Sequence, residues 1–353
     1  MSTVFMTHAL RPFPGLVTKD GRAPSGERLT QMLDILEQIW AAGFDEGPID
    51  PAADVEDFWE DAVRIATTYR AALDAGLAIE LRSSAKCWSS EDLACRMGPL
   101  RINEHGGYHG ADAFEELLAG LPLDMTGRTF AVCTYDSESV TLGADDLSQH
   151  LTTLAAAGHT AAVVKVAGHK QGIARIELDP DTRVINRRLH DAFDWTMVRL
   201  DGVRSAFLVS PWIEMTYEYR VFVVDGIPVT GAGCIEEYTP LDHSGSGPFD
   251  PAVRLHRGNS VAATVNSAIT HDSRTVRMHL AAAAPVIAHM AARGLRTYVV
   301  DMAYVPDRND SVVVEFNSMP NAGLYACDAQ ALARALIQTE HKGYYEYTPT
   351  RVR

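Results

Sequence analysis

The chain has 353 residues, room for two or three domains at the usual ~100–200 residues each. Hydrophobic residues make up 46% and charged residues 22%, which excludes a disordered chain, and no apolar run approaches the ~18 residues that cross a bilayer. The 31 Lys and Arg against 46 Asp and Glu leave a net charge of -15, which repels a phosphate backbone and makes a nucleic-acid partner an unfavourable expectation. The N-terminus shows no basic segment followed by an apolar block, so no membrane partner and a cytoplasmic location are expected. Five scattered cysteines without a C-x-x-C point to reduced, mostly buried thiols rather than a disulfide framework or a zinc site. Only five of the basic residues are Lys, and two of these are Lys165 and Lys170.

In chain order, residues 1–125 read as mainly helical, with apolar stripes of helical period over Arg28–Trp40 and Val55–Leu77 and a Gly- and Pro-punctuated loop between them. The segment Arg101–Gly110 carries His105 and His109 four apart, but its glycines oppose the helix a metal pair would need, and a loop is expected. From about residue 128 the texture turns to strands: Thr129–Thr134 and Ala161–Val166, with a helix over Ala144–Ala157 between them. Ser205–Ile213 follows, then a hairpin of Tyr219–Asp225 and Ile227–Cys234 around an Asp-Gly turn. Asp242–Gly258 reads as a long surface loop and Val261–Arg293 as an Ala-rich helix. A second hairpin joins Tyr298–Val305 to Ser311–Phe316, and Ala329–Gln338 closes the chain as a helix.

Three segments carry chemistry. In Tyr298–Pro320, strand alternation puts Glu315 and Asn317 on one face, and the hairpin returns Asp301 beside them. Two carboxylates and an amide oxygen form a hard, oxygen-only set suited to Mg²⁺. The alternative, a solvated edge strand, conflicts with the flanking Val312, Val313, Val314 and Phe316, which read as buried. In Val163–Gly172, Lys165 sits mid-strand among apolar residues, where an ammonium needs an anion or must snorkel at an edge. Gly168 and Gly172 beyond it permit a close backbone approach to a ligand. In Phe207–Val223, an apolar strand passes through a short link into a second strand opening with Glu218 and Arg220; such a link can take an adenine ring while a nearby carboxylate accepts ribose hydroxyls. An ordinary cross-strand ion pair is the alternative there.

Taken in order, these segments resemble the ATP-grasp superfamily, which includes D-alanine:D-alanine ligases, glutathione synthetases and other carboxylate–amine ligases. The resemblance covers roughly residues 128–330. It implies an α+β ATP-grasp fold over residues 126–353, two α+β subdomains clasping ATP, preceded by a mainly helical substrate or docking domain over residues 1–125. By the same resemblance, Asp301, Glu315 and Asn317 hold Mg²⁺, with Mn²⁺ an acceptable substitute; Lys165 and Arg220 act on the phosphates during catalysis; and Lys165, Lys170, Trp212, Ile213 and Glu218 bind ATP. Arg254, His256 and Arg257 are candidates for the substrate carboxylate, since an Arg fork matches a carboxylate bidentately; ordinary solvated loop residues are the alternative.

The implied reaction joins a small, amino-acid-like carboxylate to an amine through an acylphosphate, releasing ADP and phosphate. The other readings are a ligase acting on a protein or other macromolecule and a nucleotide-binding protein without ligation; a homodimer is compatible with all of them. The sequence departs from the family pattern in three places. No lysine stands between Lys86 and Lys165, so Arg128 or Lys170 is left to replace an upstream lysine. The link begins Ser210-Pro211 rather than with Glu, and the first 125 residues lack an evident βαβ opening.

Overall fold

The computed structural model describes residues 3–6, 9–12, 16–17, 23–43, 45–48, 58–81, 93–94, 111–136, 146–167, 172–193, 204–245, 247–255, 268–319 and 322–341. The chain opens with β1 (Thr3–Met6), β2 (Ala9–Arg11), α1 (Glu27–Ala41), β3 (Asp45–Pro48), α2 (Phe58–Asp74), β4 (Ala78–Leu81) and β5 (Leu93–Ala94). Both expected helices are present. To them the structure adds parallel pairing of β1 with β4 and β5, and of β2 with β3. These strands have two to four residues each, too few for a period-two pattern to register in sequence. The segment with His105 and His109 lies outside the described residues, as do Cys87 and Cys95; Cys133 and Cys327 are buried free thiols and Cys234 is half-buried.

Helices α3 (Ala111–Ala119) and α4 (Leu123–Thr126) lead into β6 (Ala131–Asp136), α5 (Asp146–Ala156), β7 (Ala161–Val166), β8 (Ile173–Glu177), α6 (Thr182–Ala192) and β9 (Arg204–Pro211). The four strands form an antiparallel sheet in the order β6-β9-β7-β8. Leu147 and Leu151 of α5 and Ile185 and Leu189 of α6 pack on Val164, Val166, Phe207 and Val209. That core occupies one face only. Alternation therefore turns Lys165 to the opposite, helix-free face.

The chain continues with β10 (Thr216–Val224), β11 (Ile227–Gly233), β12 (Ala252–Arg254), β13 (Ile269–His271), α7 (Ser273–Ala292), β14 (Tyr298–Val305), β15 (Asp310–Asn317) and α8 (Ala329–His341). A second antiparallel sheet runs β11-β10-β14-β15. On one face Val276, Val286 and Ile287 of α7 meet Val221, Val300, Met302 and Val313. On the other, Phe222, Val224 and Val299 share a core with Leu36 and Ile39 of α1, Ala66 of α2 and Leu332 of α8. The N-terminal helices thus pack on the same sheet face that, further along the strands, carries Arg220 and Asp301.

Two expectations are corrected. The supposed loop at Asp242–Gly258 contains the buried strand β12, whose Val253 has no exposure. The helix expected from Val261 begins at Ser273, because the Asp272 carboxylate accepts hydrogen bonds from the backbone N–H groups of Arg274 and Thr275 at 3.0 Å each and so caps it there; β13 precedes it.

β12 crosses close to β11. A Cβ on Gly233 would lie 2.4 Å from the Ala252 carbonyl oxygen and 3.2 Å from Val253 Cα, both backbone atoms that cannot step aside. Gly233→Ala is therefore expected to cost about 1–3 kcal/mol of stability, read as a lower midpoint in urea denaturation; an unchanged midpoint would refute the close packing of β12 on β11.

Candidate functional site

Three strands of the second sheet bring charged side chains into one row. Arg220 on β10 pairs in register with Asp301 on β14, and Asp301 with Glu315 on β15. Arg220 donates from Nε to Asp301 Oδ1 at 2.9 Å and from Nη2 to Oδ2 at 2.7 Å, a bidentate pair with Asp301 fully buried. Its Nη1 donates to the Gly323 carbonyl at 3.0 Å, and its guanidinium lies 5.0 Å from the centre of the Tyr325 ring. Asn317, diagonal to Asp301, donates from Nδ2 to Asp301 Oδ2 at 3.1 Å and to Glu315 Oε1 at 2.8 Å.

Simple alternation does not produce this row. Val313 and Glu315 are two residues apart, yet Val313 is buried against α7 and Glu315 faces the site. The register shifts by one residue between Asp301 and Met302, leaving Val314 as the extra residue of a β-bulge. That single insertion inverts the phase of β15 and turns Glu315 and Asn317 to Asp301. A second shift between Thr216 and Tyr219, where Tyr217 has a φ of 51°, sets the direction of Glu218.

From the other sheet, Lys165 reaches across and pairs through Nζ with Glu315 Oε2. Burial alone would lower the lysine's pKa, but Glu315 foremost, with Glu115 of α3 and Asp301, raises it above its ordinary value. Burial likewise pushes Glu315 up, and Lys165 and Asn317 overcome it and hold that carboxyl below its ordinary range. Burial lifts Asp301 despite the opposing guanidinium. Glu218 is pushed up to about 8 by burial and by the neighbouring charges of Asp301 and Glu315, against Arg220 and Arg128.

The remaining expected residues are distributed around this row. Trp212 and Ile213 lie on the four-residue link between β9 and β10, where one sheet hands over to the other. Trp212 donates its backbone N–H to Ala161 at 2.9 Å and its Nε1 to Glu214 at 2.9 Å, while Arg175 stands 4.9 Å over its ring. Arg254 is buried on β12, with both terminal nitrogens committed to Glu237 at 2.7 Å each. Lys170, His256 and Arg257 lie outside the described residues. Glu115, Glu237, Gly323 and Tyr325 escaped the sequence reading, because nothing local marks which distant partner a single acidic or aromatic residue meets.

Among the described residues no group of three or more His, Cys, Asp and Glu could hold a metal ion. The row supplies instead two carboxylates and the Asn317 amide, whose oxygen replaces its nitrogen on a half-turn of the group. These are hard donors that converge at one point, and they fit Mg²⁺ completed by nucleotide oxygens and water.

A family model for an ATP-grasp domain, the third family of its clade, matches residues 149–336, more than half of the chain. The chain belongs to this ATP-grasp family. Family members are ATP-binding ligases, and the match spans Lys165, Glu218, Asp301, Glu315 and Asn317. Among solved structures, the D-alanine–D-alanine ligase of Bacillus anthracis is 12% identical at a TM-score of 0.41, covering 98% of this chain and 99% of that one. The N5-carboxyaminoimidazole synthetase of Staphylococcus aureus, complexed with ADP, is 12% identical at a TM-score of 0.40, covering 95% and 76%. No curated protein matches the sequence. Among the described residues no helix is long and apolar enough to cross a membrane.

Two outcomes are expected. Arg220→Met leaves a buried carboxylate without its counter-charge and is expected to cost about 3–5 kcal/mol, whereas Arg220→Met with Asp301→Leu recovers most of that loss; equal loss in both variants by urea denaturation would contradict it. For Glu218, a folded pKa of about 8 against an ordinary 4.5 means that between these values the folded chain holds a proton the unfolded chain has lost. Its contribution to stability is therefore full below pH 4.5 and falls as pH rises to 8. Glu218→Gln is expected to flatten that decline, and parallel pH profiles for the two proteins would exclude it.

Proposed function

We propose that the protein is an ATP-dependent carboxylate–amine ligase that forms an amide through an acylphosphate, with ADP and phosphate as products and an amino-acid-like small molecule as the carboxylate. The observation that carries this reading is the meeting of Lys165 from one sheet with the Asp301–Glu315–Asn317 row of the other. A lysine and a set of oxygen ligands facing each other across two sheets suit a triphosphate with its cation. No packing requirement calls for them.

Asp301, Glu315 and Asn317 would hold Mg²⁺, whose chemistry when bound is to neutralise the phosphoryl oxygens during transfer. Lys165 contributes a fixed positive charge in a water-poor position, where a contact to phosphate is strongest. Trp212 and Ile213 line the link for the adenine, and Glu218 accepts the ribose hydroxyls. That last role requires the ionised carboxylate, so nucleotide affinity should rise with pH toward about 8. Arg220 orients Asp301 through its bidentate contact, and Arg254 stays with Glu237 unless a substrate carboxylate displaces that acid. Residues 1–125 supply the acceptor side: buried Arg64 of α2 donates to the Ala322 carbonyl at 2.6 Å, on the segment that follows β15.

The test is turnover with a panel of amino acids. The expected products are ADP and phosphate, and hydroxylamine in place of the amine should yield a hydroxamate. Glu315→Gln and Lys165→Ala should each lower turnover by orders of magnitude with the fold retained, since each removes a charge the transferring phosphoryl group needs. AMP and pyrophosphate as the nucleotide products, or parental turnover in Glu315→Gln, would overturn the reading.

A further inference from the structure

Arg128 precedes β6 of the first sheet, yet its side chain is spent on β15 of the second. It is buried, it donates from Nε to the Val313 carbonyl at 3.1 Å and from Nη2 to the Val314 carbonyl at 2.9 Å, and its guanidinium lies 4.5 Å over the Phe130 ring. Val314 is the extra residue of the bulge, and the bulge is what turns Glu315 to the site. Backbone carbonyls displaced from a ladder need other donors when buried. The fork of Arg128 supplies two at once, to adjacent residues, which a single ammonium cannot do from one fixed geometry.

The turn carrying Arg128 is itself fastened to β15. A Cβ on Gly127 would come within 2.6 Å of Val312 Cγ1, Gly127 has a φ of 71°, and its carbonyl accepts from Arg308 Nη1 at 2.8 Å. The Thr126 hydroxyl donates to the Arg128 carbonyl at 2.6 Å. Residues 126–128 therefore lie as a clamp along Val312, Val313 and Val314, the three residues that lead into Glu315.

We propose that Arg128 is a positioning residue of the metal set: by pinning the Val313–Val314 bulge it fixes the direction of Glu315, and it makes no contact with the nucleotide. The proposal rests on the reading of Asp301, Glu315 and Asn317 as metal ligands. It assigns to Arg128 a role other than that of a substitute for an upstream phosphate-binding lysine.

Charge gives this proposal a test by sign. Arg128 stands close enough to Glu315 and Glu218 for their charges to act on it, so its removal, by electrostatics alone, makes the site more negative and tightens a cation. Loss of positioning does the opposite. Supporting residues of a metal ligand typically change metal affinity about 10- to 100-fold.

The experiment measures ADP affinity by calorimetry in EDTA and in Mn²⁺, for the parent chain, Arg128→Met, Gly127→Ala and Glu315→Gln, with circular dichroism as the check on folding. In Arg128→Met, the factor by which Mn²⁺ tightens ADP is expected to shrink by about tenfold or more, with affinity in EDTA unchanged. Gly127→Ala, which disturbs the clamp without changing charge, should move the same way. An Arg128→Met protein whose Mn²⁺ effect is equal to or larger than the parent's overturns the positioning role, and a loss of ADP affinity in EDTA assigns Arg128 to the phosphates. If Glu315→Gln keeps the full Mn²⁺ effect, the metal set itself is misassigned, a failure distinct from the other two. Should Arg128→Met not fold, Gly127→Ala decides alone: an undiminished Mn²⁺ effect there overturns the proposal.

Discussion

A carboxylate with no exposure to water has to be met by a positive charge, and Asp301 at the centre of the second sheet sets that requirement. Its two oxygens take the fork of Arg220, and Asn317 shares one of them with Glu315. Glu315 in turn binds Lys165 from the other sheet. The charges thus form one chain of contacts, Arg220 to Asp301 to Asn317 to Glu315 to Lys165, and that chain ties the two sheets together at the point where the chemistry is expected. A buried ion network of this kind adds little net stability compared with an apolar core. Its presence in the interior is explained by what it can bind.

The same sheet face serves two purposes along its length. At one end Phe222, Val224 and Val299 are sealed by α1, α2 and α8; at the other, Arg220 and Asp301 replace the apolar side chains at the same alternating positions. The N-terminal helices are therefore part of the foundation of the site. Arg64 of α2 holds the Ala322 carbonyl while Arg220 holds that of Gly323, so two adjacent carbonyls beyond the metal strand are fixed from opposite sides. A change in the first 80 residues can reach the site through this segment without touching a ligand.

Bulges give the sheet its chemical asymmetry. β15 needs Val313 against α7 and Glu315 toward the site, a demand that alternation cannot meet over two residues. One inserted residue meets it, and leaves carbonyls that a buried arginine has to satisfy. Function here is built from a local departure from regular structure, supported by a long-range contact.

Read by itself, the sequence determined the elements with a strong period and the ligand set within one hairpin. Asp301, Glu315 and Asn317 are joined by a turn, so their meeting depends on strand geometry and spacing alone, and a lysine amid apolar β-branched residues declares its need for an anion. Only the tertiary structure decided the rest. Arg220 pairs with Asp301 across 81 residues and Lys165 with Glu315 across 150; Arg254, read as a substrate clamp, is held by Glu237; and the short parallel strands near the N-terminus left no periodic trace. The Val314 bulge was equally hidden, since a run of three valines looks the same in either phase. Pairings between distant elements are chosen by how whole faces pack, and no local window of residues contains that information.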